Sequence, residues 1–119
     1  MSSRDTISLS IPKKPEYMSL VRLTTMGIGQ QANLTIDDIE DLKVSVSEAC
    51  VHIMKIESLE EVRIKFTIEE ARIVVEIENV RKDEAERSEE AKLGLLIVEA
   101  LMDEVVFDEA GVRLVKNID

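Results

Sequence analysis

The chain has 119 residues, 25 acidic and 15 basic side chains, a formal net charge of -10 and 45% hydrophobic residues. These values describe one small acidic domain, residues 1–119, large enough to bury roughly two-thirds of its unfolded surface without cross-links. The acidic excess repels polyanions, and 3% aromatic residues supply no base-stacking platform, so both argue against direct nucleic-acid binding. Cys50, the single cysteine, cannot form an internal disulfide, and with the single histidine His52 it falls short of a structural zinc site. A reducing cytoplasm without a metal site is therefore expected. The most apolar stretch, 93–102, is interrupted by Glu99 and too short to cross a bilayer, and the first five residues carry no apolar signal core, so neither membrane insertion nor export is expected.

In chain order, Ile7, Leu9 and Ile11 alternate with polar neighbours and predict a strand over 6–11, stopped by Pro12. A first helix is predicted from Pro15, with Tyr17, Leu20, Val21, Thr24 and Ile28 at helical spacing and Gly27 and Gly29 weakening its end. Thr35 followed by Asp38 is a capping-box variant opening a long helix to about Ile56. Its buried stripe reads Ile39, Leu42, Val46, Ala49 and Ile53, with Glu48 and His52 one turn apart on an adjacent flank. Val62, Ile64, Phe66 and Ile68, then Ile73, Val75 and Ile77, alternate as a hairpin. Residues 82–90 form a polar, mostly acidic run that reads as a loop. A third helix over 90–103 is predicted with Leu93, Leu96, Ile97, Ala100 and Leu101 inward, and two strands, 104–107 and 112–118, close the chain around the turn 108–111. This order predicts an α/β sandwich, a mixed but largely antiparallel sheet with helices on one face.

Particular strings add to the periodicity. Pro15-Glu16-Tyr17 leading to Val21-Arg22-Leu23-Thr24, the run from Ile39 to Cys50, Gly94-Leu95 and the run from Glu99 to Val105 closely resemble the anti-sigma factor serine-protein kinases of bacterial stress and sporulation control. The resemblance is nearest to anti-sigma-B factors and covers most of the chain. It implies the Bergerat, or GHKL, ATPase fold. It also implies proteins that hold a sigma factor off RNA polymerase and use ATP to phosphorylate a serine on a STAS-domain antagonist. Residues Tyr17, Arg22 and Thr25 would then lie on the partner-binding face.

Carried onto this chain, the family's ATP motifs are altered. The general-base glutamate is present as Glu48, but His52 stands where an asparagine oxygen would bind magnesium, and imidazole suits softer metals. Asn79 stands at the adenine-binding aspartate and Arg81 at its glycine; one register step would instead place Glu78 at the aspartate. The Gly-x-Gly that cradles phosphate reads Lys92-Leu93-Gly94, and the lid before it, residues 81–91, is contracted and acidic. The expected function is therefore an anti-sigma-like regulator that binds a sigma factor or a STAS-domain protein without a cofactor. The alternative is an active kinase using ATP and magnesium. A homodimer, or a mixed dimer with a paralogue through the early elements, is a further expectation.

Overall fold

The computed structural model describes residues 4–118. Five strands, β1 (Asp5–Pro12), β2 (Glu61–Ile68), β3 (Arg72–Glu78), β4 (Glu104–Phe107) and β5 (Gly111–Asn117), form one sheet in the order β1-β2-β3-β5-β4. Every neighbouring pair runs antiparallel. A short 3-10 turn (Pro15–Tyr17) leads into α1 (Met18–Gln31), followed by α2 (Ile36–Met54), α3 (Lys82–Ala85) and α4 (Glu89–Leu101). The predicted sandwich is therefore present, with a sheet that is antiparallel throughout.

The core follows from strand alternation. Register aligns Phe66 with Val75 and Leu114, and Ile64 with Ile77 and Val112. These six side chains pack in one buried cluster with Val21, Leu42, Val46, Ala49, Ile53 and Val98 from the helices. Each buried side chain of this kind contributes roughly 1.5–3 kcal/mol over exposure. The stripe expected on α2 is largely the buried one: Leu42, Val46 and Ile53 are wholly enclosed, while Ile39 at the N-terminal end is partly covered.

Helix ends obey local chemistry. The Thr35 hydroxyl accepts from the Asp38 amide at 3.1 Å, and Asp37 and Asp38 sit in the first turn of α2, where the helix dipole favours carboxylates. At the end of α1, Asn33 takes a left-handed conformation, φ 60. The Leu34 amide then donates to the Gly29 carbonyl, and the Asn33 amide to the Gln30 carbonyl. That is a Schellman end, sealed by the buried Leu34. Gly27 and Gly29 do not shorten the helix, which runs on to Gln31. Gly29 instead permits a close crossing, since a Cβ there would lie 2.8 Å from Ile39 Cγ1 on α2.

Two expectations are corrected. The polar run 82–90 is not all loop, because residues 82–85 form the single turn α3 and bury Ala85. The face of α4 is also turned around from the predicted one. Ala91, Gly94, Val98 and Met102 are buried, whereas Leu93 and Leu96 stand 59% and 61% exposed. Both faces of this helix are apolar, so periodicity could not choose between them; the side turned inward is the one carrying the small residues Ala91 and Gly94, which allow close approach.

Lys116 on β5 is a buried cation. Its Nζ donates to the Leu101 carbonyl at 2.7 Å and lies 3.6 Å from Asp38 and 3.5 Å from Asp41. One ammonium thus ties the end of α4 to the start of α2. At the other end of β5, a Cβ on Gly111 would fall 2.0 Å from the Ile77 carbonyl oxygen. Gly111→Ala must push β5 away from β3 and is expected to cost about 2–4 kcal/mol, read as a lowered midpoint in urea unfolding; an unchanged midpoint would contradict this strand contact.

Candidate functional site

The stripe that seats α2 on the sheet also fixes where its flank points. Glu48 and His52 face α4 and the segment leading into it. Gly94 faces the tip of the Glu48 side chain, and a Cβ there would lie 2.9 Å from Glu48 Oε2. His52 is buried, in company with Ala49, Val80, Ala85, Leu95, Val98 and Leu114. The cavity left among these side chains is about 10 Å³. That is room for about one water molecule, whereas small-ligand sites run from roughly 300 to 1,000 Å³.

Of the six positions aligned with ATP motifs, the structure brings Glu48, His52 and Gly94 together and separates the other three. Asn79 turns in a left-handed conformation, φ 66, and its amide donates to the Ala110 carbonyl. It lies on the wall of a different hollow, about 650 Å³, on the helix-free face of the sheet. That hollow mixes both signs of charge: Arg63 is held by Glu61 at 2.9 Å, and Lys65 lies 3.7 Å from Glu76. Arg81 is exposed at the start of α3, and Lys92 is exposed on α4, 3.8 Å from Glu89. Neither reaches the cavity beside His52, whose lining includes neither residue.

The start of α4 is equally ill-suited to phosphate. Ser88 caps it by accepting from the Ala91 amide at 3.0 Å, and Glu89 and Glu90 occupy the first turn. Gly94 lies inside the helix, where its amide serves the helical ladder. No group of three or more His, Cys, Asp or Glu side chains that could hold a metal ion occurs among the described residues. Val80 and Ala85 complete the closure, and periodicity missed them; the one signal was two apolar residues inside an otherwise charged segment.

Burial holds the His52 pKa below its ordinary value, helped by the charge of Lys55 and opposed by Glu48 and Glu84. Burial likewise pushes the Cys50 thiol up to about 12, so Cys50 is a core side chain and not a nucleophile.

On the opposite flank of α2, the expected partner-facing residues divide. Arg22 is exposed between the exposed Leu20 and Leu23. It takes part in none of the ion pairs found among the described residues, and Glu40, one candidate partner, is held by Lys43 at 2.9 Å. Tyr17 is partly covered against the core. Thr25 does not belong to a surface: it is fully buried, its hydroxyl donating to the Val21 carbonyl at 2.7 Å. The hydroxyl can be buried because the i-4 carbonyl satisfies it locally.

A five-stranded antiparallel sheet carrying its helices on one face, with a glutamate-bearing long helix beside the sheet, defines a class. Residues 11–116 match the histidine kinase-like ATPase domain, and the chain belongs to that family. Within it, the chain is similar to the serine-protein kinases RsbW. That of Bacillus velezensis is 36% identical over 135 residues, covering 95% of this chain and 84% of the relative. That of Bacillus subtilis is 34% identical with the same coverage, and that of Staphylococcus aureus strain MRSA252 is 36% identical over 136 residues, covering 95% and 86%. An aligned span of 135 positions exceeds the 119 residues of this chain, so the relatives contain residues that this chain lacks. No helix among the described residues is long and apolar enough to cross a membrane.

The lowered His52 pKa makes a pH prediction. Between the folded value and the ordinary 6.5, the unfolded chain binds more protons than the folded one, so this contribution to stability is complete above about 6.5 and falls as pH drops toward the folded value. The melting temperature of the wild type should fall further than that of His52→Asn between about pH 8 and pH 5.5. Equal falls in the two proteins would mean that His52 titrates as it does in the unfolded chain.

Proposed function

We propose that this protein is an anti-sigma-type regulator of a partner-switching system that binds a sigma factor or a STAS-domain antagonist through its helical face and works without ATP. The observation that carries the reading is the packing of Gly94 against Glu48, with α3, Val80 and Leu95 filling the space beside His52. Phosphoryl transfer rests on positioned charge around the phosphates. Here the metal-binding oxygen is replaced by imidazole, the cradle glycine lies within a helix crossing, and the nearest first turn presents Glu89 and Glu90.

The partner-binding face assigned by resemblance keeps what an interface uses. Arg22 is exposed with Leu20 and Leu23 beside it, a guanidinium flanked by apolar surface. The acidic chain suits a partner that is itself basic. A homodimer or a mixed dimer through the early elements is compatible with β1, an edge strand with one side free for pairing.

The second reading, an active serine kinase with Glu48 as base, is favoured by the identity of 36% to proteins named serine-protein kinase over 95% of the chain. A titration with a fluorescent ATP analogue, with and without magnesium and with ADP as competitor, separates the two. No saturation up to millimolar nucleotide is expected. Saturable, magnesium-dependent binding in the micromolar range would overturn the nucleotide-free reading and restore the kinase.

Arg22→Ala tests the docking face. It should weaken binding to the sigma or STAS partner by about tenfold or more, a guanidinium anchor being worth at least about 1.4 kcal/mol. Its melting temperature should stay within about a degree of the wild type, because Arg22 is exposed and makes no ion pair among the described residues. A parallel loss of both would make Arg22 a structural residue.

A further inference from the structure

From the exposed face of α4 we infer a second docking surface, separate from the Arg22 face, that receives a basic amphipathic helix of a partner protein. Leu93, Leu96 and Ala100 recur at three- and four-residue spacing, the repeat of one helical face, and all three are exposed. Ile97 flanks them half-buried. The stripe lies on the side of the helix opposite Ala91, Gly94, Val98 and Met102, which are packed inward. A helix apolar on both sides is characteristic of one covered on both sides. Here the molecule covers one.

The nature of the covering partner follows from charge. Glu89 begins the stripe and is almost fully exposed, Glu90 lies on one side of it, and Glu99 lies on the other. Against these three carboxylates α4 itself carries one ammonium, that of Lys92, already 3.8 Å from Glu89. A second copy seated there would bring the two acidic rims together, in a chain that carries a net charge of -10. The headgroups of an anionic bilayer would be repelled for the same reason. A helix with an apolar seam and lysines or arginines along its borders satisfies both parts: its seam covers the leucines and its cations meet the rim. The surface lies on α4, whereas Arg22 lies on α1, so it does not depend on the reading of the α1 face or on the loss of ATP binding.

The test uses the full chain and a synthetic amphipathic peptide of leucine and lysine, fluorescently labelled, followed by anisotropy and by amide chemical shifts. Two control peptides carry the same residues in a non-amphipathic order and glutamate in place of lysine. The wild type is expected to bind the Leu-Lys helix with shifts centred on 89–103, at least about tenfold more tightly than either control. The double variant Leu93→Gln/Leu96→Gln keeps every charge and should lose at least about tenfold in affinity, whereas Arg22→Ala should retain it. Circular dichroism and melting of the double variant check that it folds, and Leu93→Ala/Leu96→Ala, which preserves helix propensity, gives the same readout if glutamine disturbs the fold. Equal binding of the wild type and the leucine variants would reduce the effect to general attraction between opposite charges and overturn the proposal. So would equal binding of the Leu-Glu peptide, or a dimer in sedimentation that the leucine variants abolish, which would make the occupant a second copy.

Discussion

The seating of α2 on the antiparallel sheet constrains nearly everything else in this molecule. Leu42, Val46, Ala49 and Ile53 must face Phe66, Val75 and Leu114, because that apolar surface leaves water only in one rotation of the helix. Once the rotation is set, the two flanks of α2 have no freedom. One meets α1 at the Gly29 and Ile39 crossing, and the other meets α4 where Gly94 lies against Glu48. Burial is non-directional, yet through the geometry of one helix it decides where a carboxylate and an imidazole point.

The same packing decides the chemistry available beside His52. A site for a charged ligand needs open volume, donors aimed into it and charge of the opposite sign. Here apolar side chains from Val80, α3, α4, β4 and β5 converge until about 10 Å³ remains, and the helix start nearest the site is both capped by Ser88 and lined with glutamate. Glycine, which in a phosphate cradle exposes backbone to a ligand, in this chain exposes backbone to a neighbouring helix. One residue type serves both purposes because each requires the absence of a Cβ.

Charge is distributed to match. Half-buried acidic groups near the start of α2 are compensated by Lys116, a single cation reaching Asp38, Asp41 and the last carbonyl of α4. A buried cation is retained only where it is partnered, and here the ammonium donates to one carbonyl and lies within ion-pair reach of two carboxylates. The remaining carboxylates lie largely outside, on a surface that also presents an α1 face carrying an exposed guanidinium and an α4 face carrying uncovered leucines. A surface that is acidic and locally apolar favours basic protein partners and disfavours polyanions, which fits a regulator that works by contact.

Local chemistry determined much of this from the sequence alone. The period-two runs around Phe66 and Val75, the Thr35 cap and the α2 stripe each carry their own signal, because strand alternation, capping and helical amphipathicity operate over a few residues. The likeness to anti-sigma kinases was legible for the same reason, as ordered strings. What local rules could not supply was orientation where two answers were equally apolar. The run around Leu93 offers hydrophobic residues on both sides of α4, and only the packing of α4 against the rest of the molecule chose which side is inside. Thr25 reads as a polar surface residue until its hydroxyl finds the Val21 carbonyl, and Val80 and Ala85 read as incidental until they fill the space beside His52. Those choices depend on close packing between segments distant in sequence, where volume and the exclusion of water outweigh the preferences of any single residue.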